Sequence, residues 1–435
     1  MQFYSTNNPS HHATLRDAVL NSLAPDGGLY MPCEIPQIEW DTTVDFHEHA
    51  FRLARPYLMG DLTNNEIRQM IANTLTFDAP VRPLTDQISV LELFHGPTCA
   101  FKDFGARFMA QLVSHFAAQD GKKRTILVAT SGDTGSAVAA GFLNVPGIRV
   151  VILYPSGKVS DIQERQLTTM GGNITALEID GVFDDCQRLV KQAFIDPDLA
   201  HLNLTSANSI NIARLIPQMF YYAWAVAQTK NLHPKLPTTN PQLPIISVPS
   251  GNFGNLTAGL MAKRMGVPIG KFIAATNAND VVPEYLETAI FRPRPSIQTI
   301  SNAMDVGNPS NFARILALYD NDVDRIQQDV IGYRVTDEET RQTIRAVFST
   351  TSYILDPHAA VAYTALSSVI ASEARQSSAS LILATAHPAK FPDVILDTLG
   401  IEPEIPPRLA TYLDRPKQSV RLPASYDAFK QWIIS

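Results

Sequence analysis

Lys102 stands in an unusually apolar stretch of this chain. It directly follows the tripeptide Cys-Ala-Phe and precedes Asp103 and a phenylalanine. Burial disfavours a charged ammonium, so a lysine in such surroundings is shifted towards its neutral, nucleophilic form. The alternative is a lysine whose stem lies along the protein surface while its charge pairs with Asp103. The stretch alone leaves both interpretations open.

A turn that contains two glycines could bind an anion. It follows a buried-strand pattern at residues 245–249 and precedes a predicted helix at residues 256–265. Its members are Gly251, Asn252, Phe253, Gly254 and Asn255. Glycines let backbone N–H groups converge on one point, and the positive end of the following helix stabilises negative charge. We interpret the turn as a phosphate-binding loop; a plain strand-to-helix turn is the alternative.

A second loop is rich in hydroxyl groups and opens a helix of small residues. It runs Thr130, Ser131, Gly132, Asp133, Thr134, Gly135 and Ser136. Hydroxyls and free N–H groups at a helix start suit a carboxylate, and the spacing is not the Gly-x-Gly-x-x-Gly of dinucleotide sites. The loop also lacks the lysine of a nucleotide P-loop. A good helix cap without a ligand is the alternative.

The elements that must position these loops follow an alternating pattern. Short β-branched runs occur at residues 125–129, 149–153, 173–179, 243–248, 272–276 and 381–384, with helical stretches between them. This alternation predicts an α/β fold with a twisted, largely parallel sheet and helices on both of its faces. The first 86 residues lack the pattern but contain turn signals and helical stretches such as residues 46–58. We therefore predict a separate, mostly helical N-terminal unit.

Composition narrows the class of protein. The 435 residues carry a net charge of −7 and a sequence pI near 5.8, which argues against a nucleic-acid partner. No apolar run reaches the roughly 18 residues of a membrane span. Cys33, Cys99 and Cys186 lie far apart, without the paired spacing of a metal or redox motif. We expect a cytoplasmic protein in a reducing compartment, with no metal site and no membrane partner.

Taken together, the apolar lysine, the hydroxyl-rich loop and the Ser-Gly-Asn-x-Gly-Asn loop resemble a fold-type II pyridoxal-phosphate enzyme. The run Leu-Glu-Leu-Phe-His-Gly-Pro-Thr at residues 91–98, continued by Phe-Lys-Asp-Phe at 101–104, is similar to a signature of the threonine synthase family. So is Pro-Asp-Gly-Gly-Leu-Tyr at residues 25–30. The resemblance covers nearly the whole chain. It implies two open, twisted, mostly parallel sheets with flanking helices, plus a mainly helical N-terminal domain.

The same resemblance implies how the chain is divided. Residues 1–86 correspond to the N-terminal domain of the family. Residues 87–400 correspond to the catalytic α/β region, with a smaller lobe at about 105–215 and a larger lobe formed by the remainder. Residues 401–435 correspond to a C-terminal extension packed on the catalytic region.

The resemblance also assigns roles to residues. Lys102 matches the lysine that forms a Schiff base with pyridoxal 5′-phosphate and acts in catalysis. Thr385 matches a hydroxyl that faces the pyridine nitrogen, and the turn from Gly251 to Asn255 matches the cofactor-phosphate loop. Asp133 departs from the asparagine that related enzymes often have near the cofactor's 3′-oxygen, which leaves that hydrogen bond open. The implied substrate-binding residues are Thr130, Ser131, Asp133, Thr134, Asn208, Ser209 and Arg214.

The activity implied is a carbon–oxygen lyase reaction on a phosphate ester. O-phospho-L-homoserine and water would give L-threonine and phosphate by γ-elimination and β-addition of water. The implied assembly is a monomer or homodimer that acts on a small molecule. A serine or threonine dehydratase or a cysteine synthase is one alternative, but such enzymes need no substrate-phosphate pocket. A catalytically silent relative that binds a phosphorylated ligand is another.

Overall fold

The N-terminal part of the chain combines a small antiparallel sheet with three helices. A computed structural model describes residues 1–232, 243–373 and 380–435. The first elements are β1 (Gln2–Ser5), β2 (His12–Thr14), α1 (Leu15–Asn21), β3 (Tyr30–Pro32), α2 (Phe46–Leu58) and α3 (Asn64–Thr74). The helix predicted at residues 46–58 is confirmed, and Asp45 caps its first turn. The sheet, in the order β2-β1-β3, was not predicted, because strands of three or four residues carry little alternation.

Nine strands and helices follow, and they include three of the five strands of one large parallel sheet. They are β4 (Val81–Pro83), β5 (Ile88–Glu92), α4 (Lys102–Asp120), β6 (Arg124–Ala129), α5 (Asp133–Phe142), β7 (Ile148–Pro155), α6 (Asp161–Thr168), β8 (Ile174–Asp180) and α7 (Phe183–Ile195). A 3₁₀ turn at Pro197–Leu202 is followed by β9 (Leu204–Ser206), α8 (Ile212–Leu215) and α9 (Gln218–Leu232). Strands β6, β7 and β8 coincide with three predicted runs, and all their mutual pairings are parallel.

The second half of the chain forms most of the other large sheet. Its elements are β10 (Ile245–Pro249), α10 (Gly254–Arg264), β11 (Lys271–Thr276), α11 (Val281–Thr288), α12 (Phe312–Leu318), α13 (Val323–Asp329), β12 (Val330–Arg334), α14 (Asp337–Thr351), α15 (Pro357–Glu373) and β13 (Ser380–Ala384), with a 3₁₀ turn at Asn302–Met304. After a 3₁₀ turn at Pro388–Lys390, the chain ends with α16 (Pro392–Leu399), α17 (Pro407–Leu413), β14 (Val420–Pro423) and α18 (Tyr426–Ile434).

The strand order confirms the predicted pair of sheets. One has the order β12-β11-β10-β13-β5-β4 and is parallel except for β4, and the other has the order β14-β8-β7-β6-β9 and is parallel throughout. Strands β6, β10 and β13 are entirely buried, as expected of strands covered on both faces. In such open sheets, ligands bind outside the carboxyl ends of the strands. The loops after these three strands are those singled out in the sequence.

Within residues 1–232, 243–373 and 380–435, no helix is both long and apolar enough to cross a membrane. Across these same ranges, histidine, cysteine and carboxylate side chains nowhere gather in a group of three or more that could hold a metal ion.

Candidate active site

Lys102 is the first residue of α4 and lies beside the loop that follows β13. The backbone N–H of its neighbour Phe101 donates to the carbonyl oxygen of Thr385 at 2.8 Å. The Lys102 Nζ atom lies 4.6 Å from the centre of the Phe101 ring. It has no hydrogen-bond acceptor among the described residues. The fold therefore places Lys102 close to Thr385, as the family resemblance implies.

Asp103 does not pair with Lys102. Its carboxylate accepts hydrogen bonds from the backbone N–H of Thr98 at 2.9 Å and from the Thr98 hydroxyl at 2.8 Å. The interpretation of Lys102 as a surface lysine paired with Asp103 is wrong, because Asp103 is fully buried and closes its own loop.

Burial lowers the pKa of Lys102 to about 8. The negative charge of Asp133 opposes this effect, whereas the positive charges of Arg214 and Lys390 add to it. With a pKa near 8, about one amine in ten is neutral at pH 7, against about one in three thousand for an ordinary lysine. The residue can therefore act as a nucleophile and as a base near neutral pH.

The turn from Gly251 to Asn255 presents a row of free backbone donors. None of its five N–H groups has an acceptor in the part of the chain that the structure describes. Phe253 adopts a left-handed conformation with φ of +61°, which turns the chain into α10. A Cβ atom on Gly251 would lie 2.7 Å from the Met304 Cα, so only glycine fits there. Free N–H groups at the start of a helix form a site for an anion such as phosphate.

The hydroxyl-rich loop is organised by Thr130. Its Oγ1 atom accepts hydrogen bonds from the N–H groups of Gly132 at 3.0 Å and Gly135 at 2.9 Å. This leaves the N–H groups of Ser131, Asp133 and Thr134 without an acceptor among the residues described. The arrangement has the free donors that a carboxylate requires, and it differs from a simple cap because Thr130 satisfies only two of the available amides.

Asp133 does not point at a free position in this loop. Its carboxylate forms an ion pair with Lys390 at 2.6 Å and accepts a hydrogen bond from the Gln163 side chain at 2.9 Å. Burial would raise the pKa of Asp133, but the ammonium groups of Lys390 and Lys102 outweigh it and hold this pKa at about 2. Asp133 is therefore ionised. Sequence reasoning missed Lys390, and its position five residues after Thr385 was the available signal.

The stretch from Asn208 to Arg214 connects the two anion-binding loops. The Asn208 amide donates to the carbonyl oxygen of Ala129, at the end of β6, over 2.9 Å. The Ser209 hydroxyl accepts from the Asn252 side chain at 2.6 Å. The structure thus brings Asn208 and Ser209 to both loops that were predicted to bind anions.

Arg214 is a buried residue. It is 2% exposed, packs against Gly105 of α4, and donates to the carbonyl oxygen of Ala207 at 2.5 Å. Its Nε atom is buried without a partner among the described residues. Burial lowers its pKa to about 10, which leaves it charged at neutral pH. Its position is consistent with an electrostatic effect on Lys102.

Two further residues that the sequence did not reveal support this region. Arg314 is fully buried and donates to the carbonyl oxygens of Tyr30, Ser209 and Ile210 at 3.1, 3.1 and 2.6 Å. Asn311 donates to the Ser209 hydroxyl at 3.2 Å and accepts from Arg314 at 2.6 Å. Their signal is absent from local sequence patterns because all these contacts except that between them span distant parts of the chain.

Comparison with known proteins agrees with this geometry. A family model described as pyridoxal-phosphate dependent enzyme matches residues 74–386. Models of the threonine synthase N terminus and of the threonine synthase C-terminal region match residues 2–75 and 359–433. A threonine synthase of Serratia marcescens is 42% identical over 100% of this chain and 99% of that protein. The chain belongs to the threonine synthase family.

Solved structures of the threonine synthase family show the same fold. A crystal structure of threonine synthase from Escherichia coli is 41% identical, with a TM-score of 0.90 over 100% of this chain and 99% of that one. A structure of pyridoxal-phosphate-bound threonine synthase from Brucella melitensis is 34% identical, with a TM-score of 0.90 over 100% and 98%. The predicted fold class, enzyme family and cofactor are confirmed, and the dehydratase and silent-protein alternatives are not favoured.

The residues of this threonine synthase family member fit pyridoxal phosphate. Lys102 offers an amine without a hydrogen-bond acceptor, and the turn at residues 251–255 offers five free N–H groups. The Thr385 hydroxyl also has no partner within the described ranges, although the residue is only 6% exposed. An amine, an anion cradle and a hydroxyl can bind the aldehyde, the phosphate and the ring nitrogen of this cofactor, respectively.

Proposed function

We propose that this chain converts O-phospho-L-homoserine and water into L-threonine and phosphate. The observation that carries the proposal is the position of Lys102 beside Thr385, together with free backbone donors at the starts of α5 and α10. One set of donors suits the cofactor phosphate and the other suits the substrate carboxylate. We assign the binding of the substrate's own phosphate to Asn208, Ser209 and Arg214.

Pyridoxal phosphate, when bound, accepts the electron pair that is left when a proton leaves the substrate carbon next to the amine. Lys102 is the residue that we assign to the covalent attachment of the cofactor and to removal of that Cα proton. Its lowered pKa, about 8, suits both tasks at neutral pH. A proton must also leave Cβ before the γ-phosphate departs, and we assign this step to Lys102 or to the departing phosphate itself.

Ser131 and Thr134 orient the substrate through its carboxylate. Their N–H groups have no protein acceptor among the described residues, and their hydroxyls are likewise without one. Hydrogen bonds fix Asn208 to the end of β6 and Ser209 to Asn252. A substrate with its carboxylate at Ser131 and Thr134 and its phosphate at Asn208 and Ser209 is therefore held at both of its ends. Such two-point binding fixes Cα and Cβ relative to Lys102.

Thr385 supplies a neutral hydroxyl to the cofactor ring nitrogen in this proposal. A hydroxyl leaves that nitrogen less protonated than an aspartate would, so the ring withdraws electrons less strongly. We expect this to suppress transamination and to favour elimination chemistry.

The organisation expected from the sequence is part of the proposal. We assign residues 1–86 to an N-terminal domain, 87–400 to the catalytic region with a smaller lobe at about 105–215, and 401–435 to a C-terminal extension. We also propose a cytoplasmic location and a monomeric or homodimeric state.

The test supplies O-phospho-L-homoserine to the purified protein loaded with pyridoxal phosphate and measures phosphate and threonine together. Equal amounts of both products that disappear in the Lys102→Ala variant support the proposal. Lys191→Ala is the matched control, because Lys191 is an exposed lysine of α7, outside the loops that form the candidate site. Phosphate accompanied by 2-oxobutyrate would indicate a dehydratase-like enzyme, and absence of turnover would indicate a binding protein.

A further inference from the structure

Lys390 and Asp133 form a buried ion pair between the two large sheets. Lys390 lies in the turn after β13, and Asp133 is the first residue of α5, after β6. Their charged atoms are 2.6 Å apart, and their side chains are 0% and 5% exposed. The pair therefore joins the loop that carries Thr385 to the loop that carries Ser131 and Thr134.

A pair of this kind is not explained by stability. Removing two charges from water costs about as much as their attraction returns, so apolar residues of similar volume would serve a core equally well. Each member of the pair makes one further hydrogen bond. The Lys390 ammonium donates to the Thr98 carbonyl oxygen at 3.0 Å, and the Asp133 carboxylate accepts from the Gln163 side chain. The third N–H of the Lys390 ammonium has no acceptor among the described residues.

The charges around Lys102 come from three elements. Asp133 at the start of α5, Arg214 in α8 and Lys390 in the turn after β13 each act electrostatically on its pKa. Asp133 attracts the Lys102 proton, and the two cations repel it. The ammonium of Lys390 thus offsets the carboxylate that would otherwise pair with Lys102.

The groups that face Lys390 identify Asp133 as its counter-ion. Cys99 and Asp103 lie nearby, and His387 is in the same turn. Burial raises the pKa of the Cys99 thiol to about 12, so it is neutral, and burial lowers the pKa of His387 to about 4, so it is neutral as well. The Asp103 carboxylate is held by Thr98. Asp133 alone makes an ion pair with Lys390 among the described residues.

We propose that Lys390 is a positioning residue for Lys102, which holds Asp133 away from the Lys102 amine and offsets its charge, so that this amine stays free to lose its proton. The inference rests on the proposed role of Lys102. Its consequence is a pair of opposite effects: loss of Lys390 strengthens the pull of Asp133 on the Lys102 proton, and loss of the Asp133 charge leaves Lys390 to repel it.

The test measures how fast Lys102 reacts with 2,4,6-trinitrobenzenesulfonate as a function of pH. It uses the full-length chain without cofactor, and labelled peptides are quantified by mass spectrometry. Lys191 in the same samples is the internal control, because it is exposed and lies on α7. No substrate is present, so this inference and the proposed function can fail separately.

We expect the midpoint of the Lys102 profile to rise by about one pH unit or more in Lys390→Met and to fall in Asp133→Asn. The double variant, which has neither charge, should return towards the wild-type midpoint, and Lys390→Arg should stay near it. Shifts in the same direction in the two single variants, or no shift in either, would overturn the proposal. If Lys390→Met does not fold, as judged by circular dichroism, the near-isosteric Asp133→Asn decides alone, and a midpoint that is unchanged or raised refutes it.

The loaded enzyme gives a second readout. The visible absorption of pyridoxal phosphate bound at Lys102 changes with the protonation of the linkage, so its pH midpoint should move in the same directions. A purely structural role for the pair would lower the melting temperature and leave both midpoints in place.

Discussion

The side-chain amide of Asn252 donates to the hydroxyl of Ser209 over 2.6 Å, and this bond connects the phosphate-binding turn to the Asn208–Arg214 stretch. The side-chain oxygen of Asn252 accepts a hydrogen bond from the backbone N–H of Ser310 at 2.6 Å. Ser209 also accepts from Asn311. With both acceptor positions used, the Ser209 hydroxyl retains its own proton for a ligand.

Replacing Ser209 by alanine should weaken cofactor binding by about tenfold, because the amides of Asn252 and Asn311 both lose their acceptor. Equilibrium titration of the cofactor-free protein with pyridoxal phosphate, followed by absorbance, measures the change. Ser349→Ala is the control, since Ser349 is an exposed serine of α14. An unchanged dissociation constant for Ser209→Ala would mean that the bond between the two segments does not hold the turn in shape.

Gly251→Ala should destabilise the protein by about 1–3 kcal/mol and impair cofactor binding, because the added Cβ meets the Met304 backbone at 2.7 Å. Gly254→Ala is the matched variant in the same turn. Its Cβ would lie 3.5 Å from Asn311 and Ser209, which is ordinary contact, so a smaller loss is expected. Urea unfolding of both variants tests the contrast, and equal losses would contradict the close approach at Gly251.

The sequence predicted local features well and distant contacts poorly. The loops at residues 130–136 and 251–255 were recognisable because their glycines, hydroxyls and following helices are adjacent in the chain. Lys390 was missed because its partner Asp133 follows a strand of the other sheet, and a lysine after a proline turn resembles a surface residue. Arg314 was missed for the same reason, since its acceptors belong to segments around Tyr30 and Ser209.

Some strands also escaped prediction, for physical reasons. Strand β14 is mostly exposed and lies at the edge of the five-stranded sheet, so burial imposes no apolar pattern on it. Strand β9 has only three residues. The buried strands β6, β10 and β13, by contrast, read as continuous apolar runs and were found.

Arg314→Met should lower the free energy of unfolding by about 2–4 kcal/mol, because several buried carbonyl oxygens lose their donor. Arg314 joins β3 of the N-terminal part to the stretch beside the site, so cofactor affinity should fall as well. Arg325→Met is the control, because Arg325 lies on α13, is 43% exposed and pairs only with Asp320 among the described residues. Urea denaturation measures the free energy of unfolding of the two variants, and similar values would contradict the role assigned to Arg314.

Thr385→Asp should increase transamination, because a carboxylate keeps the cofactor ring nitrogen protonated and strengthens its withdrawal of electrons. Conversion of the cofactor to its amine form during turnover, measured by chromatography of the released cofactor, reports this side reaction. Thr385→Ser keeps a neutral hydroxyl and should retain the wild-type ratio of threonine to side product. No change in side-product formation in Thr385→Asp would count against the role of the hydroxyl.

The rate at which the cofactor-free protein takes up pyridoxal phosphate covalently should rise with pH up to about 8 and then level off. The reason is that only the neutral Lys102 amine attacks the aldehyde, and burial lowers its pKa to about 8 from the ordinary 10.5. The same shift makes a stability prediction. Between about pH 8 and 10.5 the unfolded chain binds the proton that the folded chain has lost, so this residue's contribution to stability rises with pH over that interval. Stopped-flow absorbance measures the rate of cofactor uptake, and urea unfolding at several pH values measures the free energy of unfolding. The Lys102→Met variant should show neither the covalent uptake nor this rise in stability. An uptake rate that keeps rising to pH 10 would show that the pKa of the amine is not lowered.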